Sequence, residues 1–308
     1  MTELTAPVAR TAVRVEMPTL ALTLVTYTAW VGITIAAPTL GPALTICLLA
    51  ITIAMHSSLQ HEAIHGHPFR TQALNDALVF PPLGLLLPYE RFRQQHLAHH
   101  HDPSLTDPYD DPESNYLDPL VWARLNAATR VLMRAHNTLL GRMGLGPPIG
   151  TLVFWRAEIG RLARREPGVA RAWVLHLAGV ALIGSWLAAV AQVPAWQYLA
   201  ACWLGLSLLR IRTFAEHRAH ERHGARSVII EDRGPLSLLF LNNNFHAVHH
   251  AHPKLPWYRL PGEYERRREV FLKRNDGYRY GSYRELFVRH LFRRKDPVPH
   301  PLRTGHRA

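Results

Sequence analysis

The sequence predicts an all-α integral membrane protein, a bundle of about four transmembrane helices in two hairpins capped by a cytoplasmic helical domain. Three observations predict it: uncharged apolar runs come in two pairs, basic residues gather at one end of each pair, and dense histidine clusters follow apolar segments. The 308 residues carry a formal charge of +12, with a pI near 10.3 and a mean hydropathy of -0.07. That modest mean reflects the polar stretches 89–170 and 212–308, which offset the apolar runs.

Taken in order, "TLALTLVTYTAWVGITIAA" (19–37) and "TLGPALTICLLAITIAM" (39–55) carry no charge. Each approaches the roughly 20 residues that cross a ~30 Å hydrocarbon core as a helix. Pro38 and Pro42 mark the turn. The stretch 73–88, "ALNDALVFPPLGLLLP", is too short for a span and carries Pro81 and Pro82, which break a helix; it reads as interfacial or re-entrant. The second pair, 172–191 and 195–211, is separated by "QVP" and interrupted only by His176, with Arg210 and Arg212 near the interface. The rest, 56–171 and 212–308, forms the cap, and the whole chain 1–308 reads as one domain. A soluble helical core is disfavoured, because uncharged runs of this length are uncommon there.

Arg10 and Arg14 precede the first span, Arg91, Arg93, Arg161, Arg164 and Arg165 lie between the pairs, and Arg210, Arg212 and Arg218 follow the fourth. The hairpin turns have no basic residue. The positive-inside tendency therefore places both termini and the middle segment in the cytoplasm, as in a bacterial-type inner membrane. All three histidine clusters then fall on one side and can converge. The charge also permits nucleic acid or an acidic protein as partner, but no nucleic-acid-binding motif accompanies it, and nucleic acid is set aside. Cys47 and Cys202 lie in apolar runs and act as small hydrophobes. No cleaved signal peptide is expected.

His61 and His65 are four residues apart, which puts both imidazoles on one helix face. His96, His99 and His100 repeat the spacing, as do His246, His249 and His250. Eight neutral nitrogen donors exceed one closed tetrahedral zinc site and suit two metals with open positions. Imidazole alone does not name the metal, since iron, zinc, copper and nickel all accept it.

"HEAIH", "HLAHH" and "HAVHH", interleaved with the apolar hairpins over about residues 20 to 265, are where the chain resembles the membrane fatty acid desaturase family. These are integral membrane di-iron enzymes, a group that also holds acyl hydroxylases and, more distantly, carotenoid ketolases and alkane hydroxylases. The resemblance implies that the eight box histidines are iron ligands. It adds a ligand outside the boxes, for which "FAEHRAHE" offers His217. It implies two Fe2+ ions, O2 as co-substrate and an external ferredoxin-, rubredoxin- or cytochrome-like electron donor. The substrate implied is a lipid or fatty acyl chain, and the first expectation is desaturation to a C=C bond. Hydroxylation or ketolation of a lipid or isoprenoid is the alternative. A metal transporter is the reading from another class, but it places ligands inside the spans.

Metal-bound imidazoles usually donate their other N–H to a carboxylate or carbonyl. Glu62, Asp102, Glu216 and Asn244 are the candidates for that role, with Asp107, Asp110, Asp111 and Glu221 also near in sequence. The acidic stretch "DPSLTDPYDDPES" reads first as a turn-rich loop. Asn242 to Asn244 offer a helix cap before the third box. His67, His101, His220 and His252 are left without a role, His56 is placed as a cap and His176 as a core residue. His136, His223, His290, His300 and His306 read as surface residues.

Overall fold

The computed structural model describes residues 15–101 and 105–303, so Arg10, Arg14, Asp102 and His306 lie outside the described residues. The helices run α1 Met17–Leu40, α2 Pro42–Ile64, α3 Gln72–Leu78, α4 Tyr89–His101, α5 Pro119–Arg124, α6 Ala127–His136 and α7 Leu139–Ala163. There follow α8 Val169–Trp186, α9 Ala195–Ala215, α10 Pro235–Leu239, α11 His246–Ala251, α12 Leu260–Arg266, α13 Arg268–Arg274 and α14 Tyr283–His290. Two short strands, β1 Ile229–Ile230 and β2 Arg279–Tyr280, pair in parallel, Ile229 with Arg279 and Ile230 with Tyr280. The described residues fall into two units, 15–94 with 147–209 and 95–146 with 210–303.

In the first unit, three helices are long and apolar enough to cross a membrane: α1, α2 and α8 with its π-helical extension to Ala191. Their burial is inverted relative to a soluble helix. α1 buries Thr19, Thr23, Thr26 and Thr34 and exposes Leu24, Val25 and Ile35 at 55%, 62% and 55%. That pattern suits hydrocarbon outside and small polar residues at helix contacts. Thr23 and Thr26 each donate to the carbonyl four residues back at 2.8 Å, and Thr34 to Val31 O at 2.9 Å.

The predicted turn shifts. Pro38 lies inside α1, and the chain reverses at Gly41, whose φ of 74° caps one helix and starts the next. α2 continues past residue 55 to Ile64, so the span and the first histidine box share one helix. α9 outruns the predicted fourth span of 195–211 by one turn, reaching Ala215 and ~31 Å at 1.5 Å per residue. It is less apolar than the other three, with Gln197 and Tyr198 in its first turn and Arg210 and Arg212 in its last two. α7 departs from the polar cap assigned to it: 25 residues long, it holds Pro147 and Pro148 and exposes Leu152, Val153 and Ile159.

After α3 the chain leaves the helical path at Val79 and regains it at Tyr89, as Pro81 and Pro82 require. Irregular backbone in apolar surroundings must have its carbonyls paired, and side chains do this. Tyr198 Oη donates to Leu83 O at 2.8 Å, His176 Nε2 to Leu85 O at 2.9 Å and Trp155 Nε1 to Leu86 O at 2.9 Å. Trp30 Nε1 in turn donates to Tyr198 Oη at 2.9 Å. His176 is thus an interior residue paired through Nε2 alone. His56 is no cap but an α2 residue meeting Tyr27 Oη at 3.1 Å.

The second unit is built around Phe240, Phe245, Tyr264 and Phe271, all fully buried. β1 braces α11, because Ala247 N donates to Val228 O at 3.0 Å and Ile230 N to Asn244 O at 2.8 Å. His136, read as a surface residue, is buried here at 8% exposure.

Candidate metal centre

α4 carries His96, His99 and His100 one turn apart, and α11 does the same for His246, His249 and His250. His217 follows the end of α9 at Ala215 and forms an isolated antiparallel bridge with Ser227. Within the second unit these seven imidazoles converge. His99, His217, His246 and His250 form one group, with a ring nitrogen from each within 4.8 Å of the others. Its Nε2 atoms approach at 3.0 Å for His99 and His217, 3.0 Å for His246 and His217 and 3.1 Å for His250 and His246. A second group joins His96 to His100 at 3.1 Å and His100 to His249 at 3.0 Å, again through Nε2. The rings of His100 and His250 stack at 4.3 Å between the groups.

In the first unit, His61 and His65 end α2 with ring centroids 4.9 Å apart. Glu62 is buried beside them, its Oε1 3.8 Å from His61 Nδ1. His67 turns to Glu16, whose Oε2 lies 2.9 Å from its Nδ1. His220 Nδ1 accepts from Arg222 N at 3.0 Å, and His252 sits 4.0 Å from Glu263.

The Nδ1 side of the imidazoles decides their tautomers. Carboxylates only accept, so His99 Nδ1 donates to Asp111 Oδ1 at 2.8 Å and His96 Nδ1 to Glu113 Oε1 at 2.8 Å. His246 Nδ1 donates to Asn243 Oδ1 at 3.1 Å. When these rings are neutral, Nε2 carries the lone pair into the cluster, where a shared cation can take up several such donors at once. The spacing fits a metal with more than four positions. Nitrogens 3.0 Å apart on adjacent corners of an octahedron lie about 2.1 Å from its centre, the length of a metal–imidazole bond, whereas a tetrahedral edge of that length needs bonds of about 1.8 Å.

Electrostatics agree. Burial, and then the neighbouring imidazoles, hold His217, His246 and His250 well below the usual histidine range, in the neutral form that ligates. Burial also opposes charge on His99, but Glu113 and Asp111 outweigh it and push this imidazole up to about 9. Burial favours a neutral Glu113, yet His99 and His96 hold it well below the usual carboxylate range. Positive charge is stabilised at the centre while most of its donors stay neutral.

The sequence profile "Fatty acid desaturase" matches residues 20–282. The chain belongs to the fatty acid desaturase family. Two curated relatives of this desaturase-family protein are both described as beta-carotene ketolase. That of Paracoccus sp. (strain N81106 / MBIC 01143) is 26% identical over 226 residues, covering 71% of this chain and 75% of the relative. That of Paracoccus sp. (strain PC1) is 25% identical over 254 residues, covering 78% and 86%. The desaturase-family protein is accordingly a membrane oxidoreductase of the di-iron type with a metal site in its histidine clusters.

Two expected supporting residues are reassigned. Asn244 neither caps α11 nor meets a box histidine: its Nδ2 donates to Ile230 O at 2.6 Å and Asp232 O at 3.1 Å, and Phe245 occupies the cap position. Asn243, one residue earlier, is the partner of His246. Glu216 lies 3.7 Å from His246 Nδ1 but is paired with Arg212 Nε at 2.8 Å, and burial raises its carboxyl against that pull. Glu113 was missed. It belongs to the acidic loop already under consideration, but its 17-residue separation from His96 gave no local signal.

Proposed function

We propose that this protein uses two iron ions and O2 to oxidise an unactivated C–H bond of a membrane-dissolved lipid, and that it inserts oxygen, as a hydroxylase or ketolase of a lipid or isoprenoid. The observation that carries the reading is the convergence of seven imidazoles on α4, α11 and His217, with carboxylates on the Nδ1 side of His96 and His99. The ketolase relatives favour oxygen insertion over desaturation. Fatty acyl desaturation is the second reading, supported by the family match.

In this proposal His99, His217, His246 and His250 hold one iron. His96, His100 and His249 hold the other, and His61 and His65 are ligands as the family resemblance implies. Bound there, the metals supply O2 activation and the oxidising power for C–H cleavage. Asp111, Glu113 and Asn243 keep the Nδ1 protons in place, so Nε2 stays free to ligate. Each oxygen insertion consumes one O2, two electrons and two protons and releases one water. The electrons come from a ferredoxin-, rubredoxin- or cytochrome-like donor of acidic surface, steered by the +12 charge. α9 serves as a fourth span, and the termini and metal centre face the cytoplasm.

The test is to purify the protein, count its metals, and compare host lipids by mass after co-expression with a donor system. About two irons per chain and products that gain oxygen support the proposal. Products that only lose two hydrogens assign it to desaturation, and zinc without iron or O2 consumption rejects both.

A further inference from the structure

Residues 291–303 lie beyond the family-matched stretch and contribute no box histidine. They form a strap across the second unit. Leu140 N donates to Leu291 O at 3.0 Å, Leu117 N to Val298 O at 2.9 Å and His300 N to Leu117 O at 2.8 Å. Arg294 bridges to Thr138, and Pro299 to Leu117.

At its centre the strap reaches the metal cluster. Lys295 Nζ donates to the backbone carbonyl of His217 at 2.6 Å and pairs with Asp296. Asp296 Oδ2 accepts from Tyr116 Oη at 2.8 Å, and Tyr116 Oη accepts from Ala219 N at 2.9 Å. Asn137 Nδ2 fixes the Asp296 carbonyl at 2.9 Å. The clasp thus grips the chain on both sides of residue 218. Tyr116 closes the loop that carries Asp111 and Glu113, the partners of His99 and His96.

The need for a clasp follows from where His217 sits. The other histidines of this unit's cluster stand on α4 or α11, where helix hydrogen bonds fix the backbone. His217 lies beyond the end of α9, so its position depends on outside partners. Lys295 is 10% exposed in its side chain, and burying an ammonium needs compensation, which Asp296 and the His217 carbonyl provide.

We propose that Lys295, Asp296 and Tyr116 are positioning residues for His217, and that the strap sets the metal affinity of the His99, His217, His246 and His250 group. The inference rests on the two-iron reading above. The test compares full-length wild type, Lys295→Ala, Tyr116→Phe and Lys295→Arg. Its readouts are iron per chain under chelator competition, the Mössbauer spectrum, and the melting of metal-free protein. Lys295→Ala and Tyr116→Phe are expected to weaken one iron of the two by about 10- to 100-fold and to change one of two spectral components. The metal-free melting temperature stays unchanged, and Lys295→Arg recovers most of the affinity. Both irons held as in wild type by Lys295→Ala overturns the clasp, as does loss of both irons together with a lower metal-free melting temperature. Wild type that binds no iron overturns the two-iron reading itself, a separate outcome.

Discussion

Two regions of this chain bury charge, and they resolve it in opposite ways. In the first unit Arg91 Nε and Nη2 donate to the two Glu158 oxygens at 2.8 and 2.9 Å, and Trp173 Nε1 adds a third bond at 3.2 Å. Arg91 is 5% exposed and Glu158 not at all, yet each carboxylate oxygen has a donor and the fork geometry is matched. In the second unit, carboxylates and an amide take the Nδ1 side of three histidines, while Nε2 atoms face one another at 3.0 to 3.1 Å. The first cluster is complete from the protein alone, whereas the second becomes complete around a cation. What separates a structural ion pair from a site is the direction of the unused lone pairs, not the burial.

That contrast breaks most visibly at the ligands. His99→Ala is expected to remove iron from its group and cut product formation more than about 100-fold while the membrane helices remain folded, as metal analysis and circular dichroism would record. Glu158→Ala should do the reverse. With Arg91 left buried and uncompensated it costs about 3–5 kcal/mol of stability, read by unfolding in detergent, and the replacement of both by Met and Leu restores most of it. Asp111→Asn keeps the fold and weakens metal binding about 10- to 100-fold, measured by chelator competition. Tyr198→Phe unpairs Trp30 Nε1, leaves Leu83 O with only the Cys202 thiol at 3.8 Å, and costs about 1–3 kcal/mol.

The smallest effect concerns His136, which burial, then Arg142 and Arg210, lower to about 4. Its folded value lies below the ordinary 6.5, so its neutral form contributes stability that is intact above about pH 6.5. That contribution is lost as pH falls toward 4. His136→Gln should flatten the pH dependence of melting in that window.

The sequence exposed what local spacing can encode. The three histidine boxes follow from periodicity, and the apolar pairs from length and absence of charge. His217 was found by its position after a helix, although the helix ends two residues short of it. What escaped depends on the chain folding back on itself. Glu113 reaches His96 across a turn-rich loop, and Asn243 displaces Asn244 because β1 takes the latter's amide. Arg91 read as a charge beside the membrane, since nothing near it announces Glu158, 67 residues away. The carbonyls of 79–88 found their donors on α7, α8 and α9, equally beyond local reading.

α2 runs unbroken from Pro42 to Ile64, joining a membrane span to His61 without an intervening loop. The helix therefore works as a ruler with a rotational phase. Each residue added between Ile53 and His61 turns the histidine pair by about 100° and advances it by about 1.5 Å. Loop insertions elsewhere are absorbed by the backbone, but here one residue points both imidazoles to a different side of the helix, and even a four-residue insertion leaves them about 40° out of phase and about 6 Å displaced. The length of the span and the chemistry at its end are one inherited quantity.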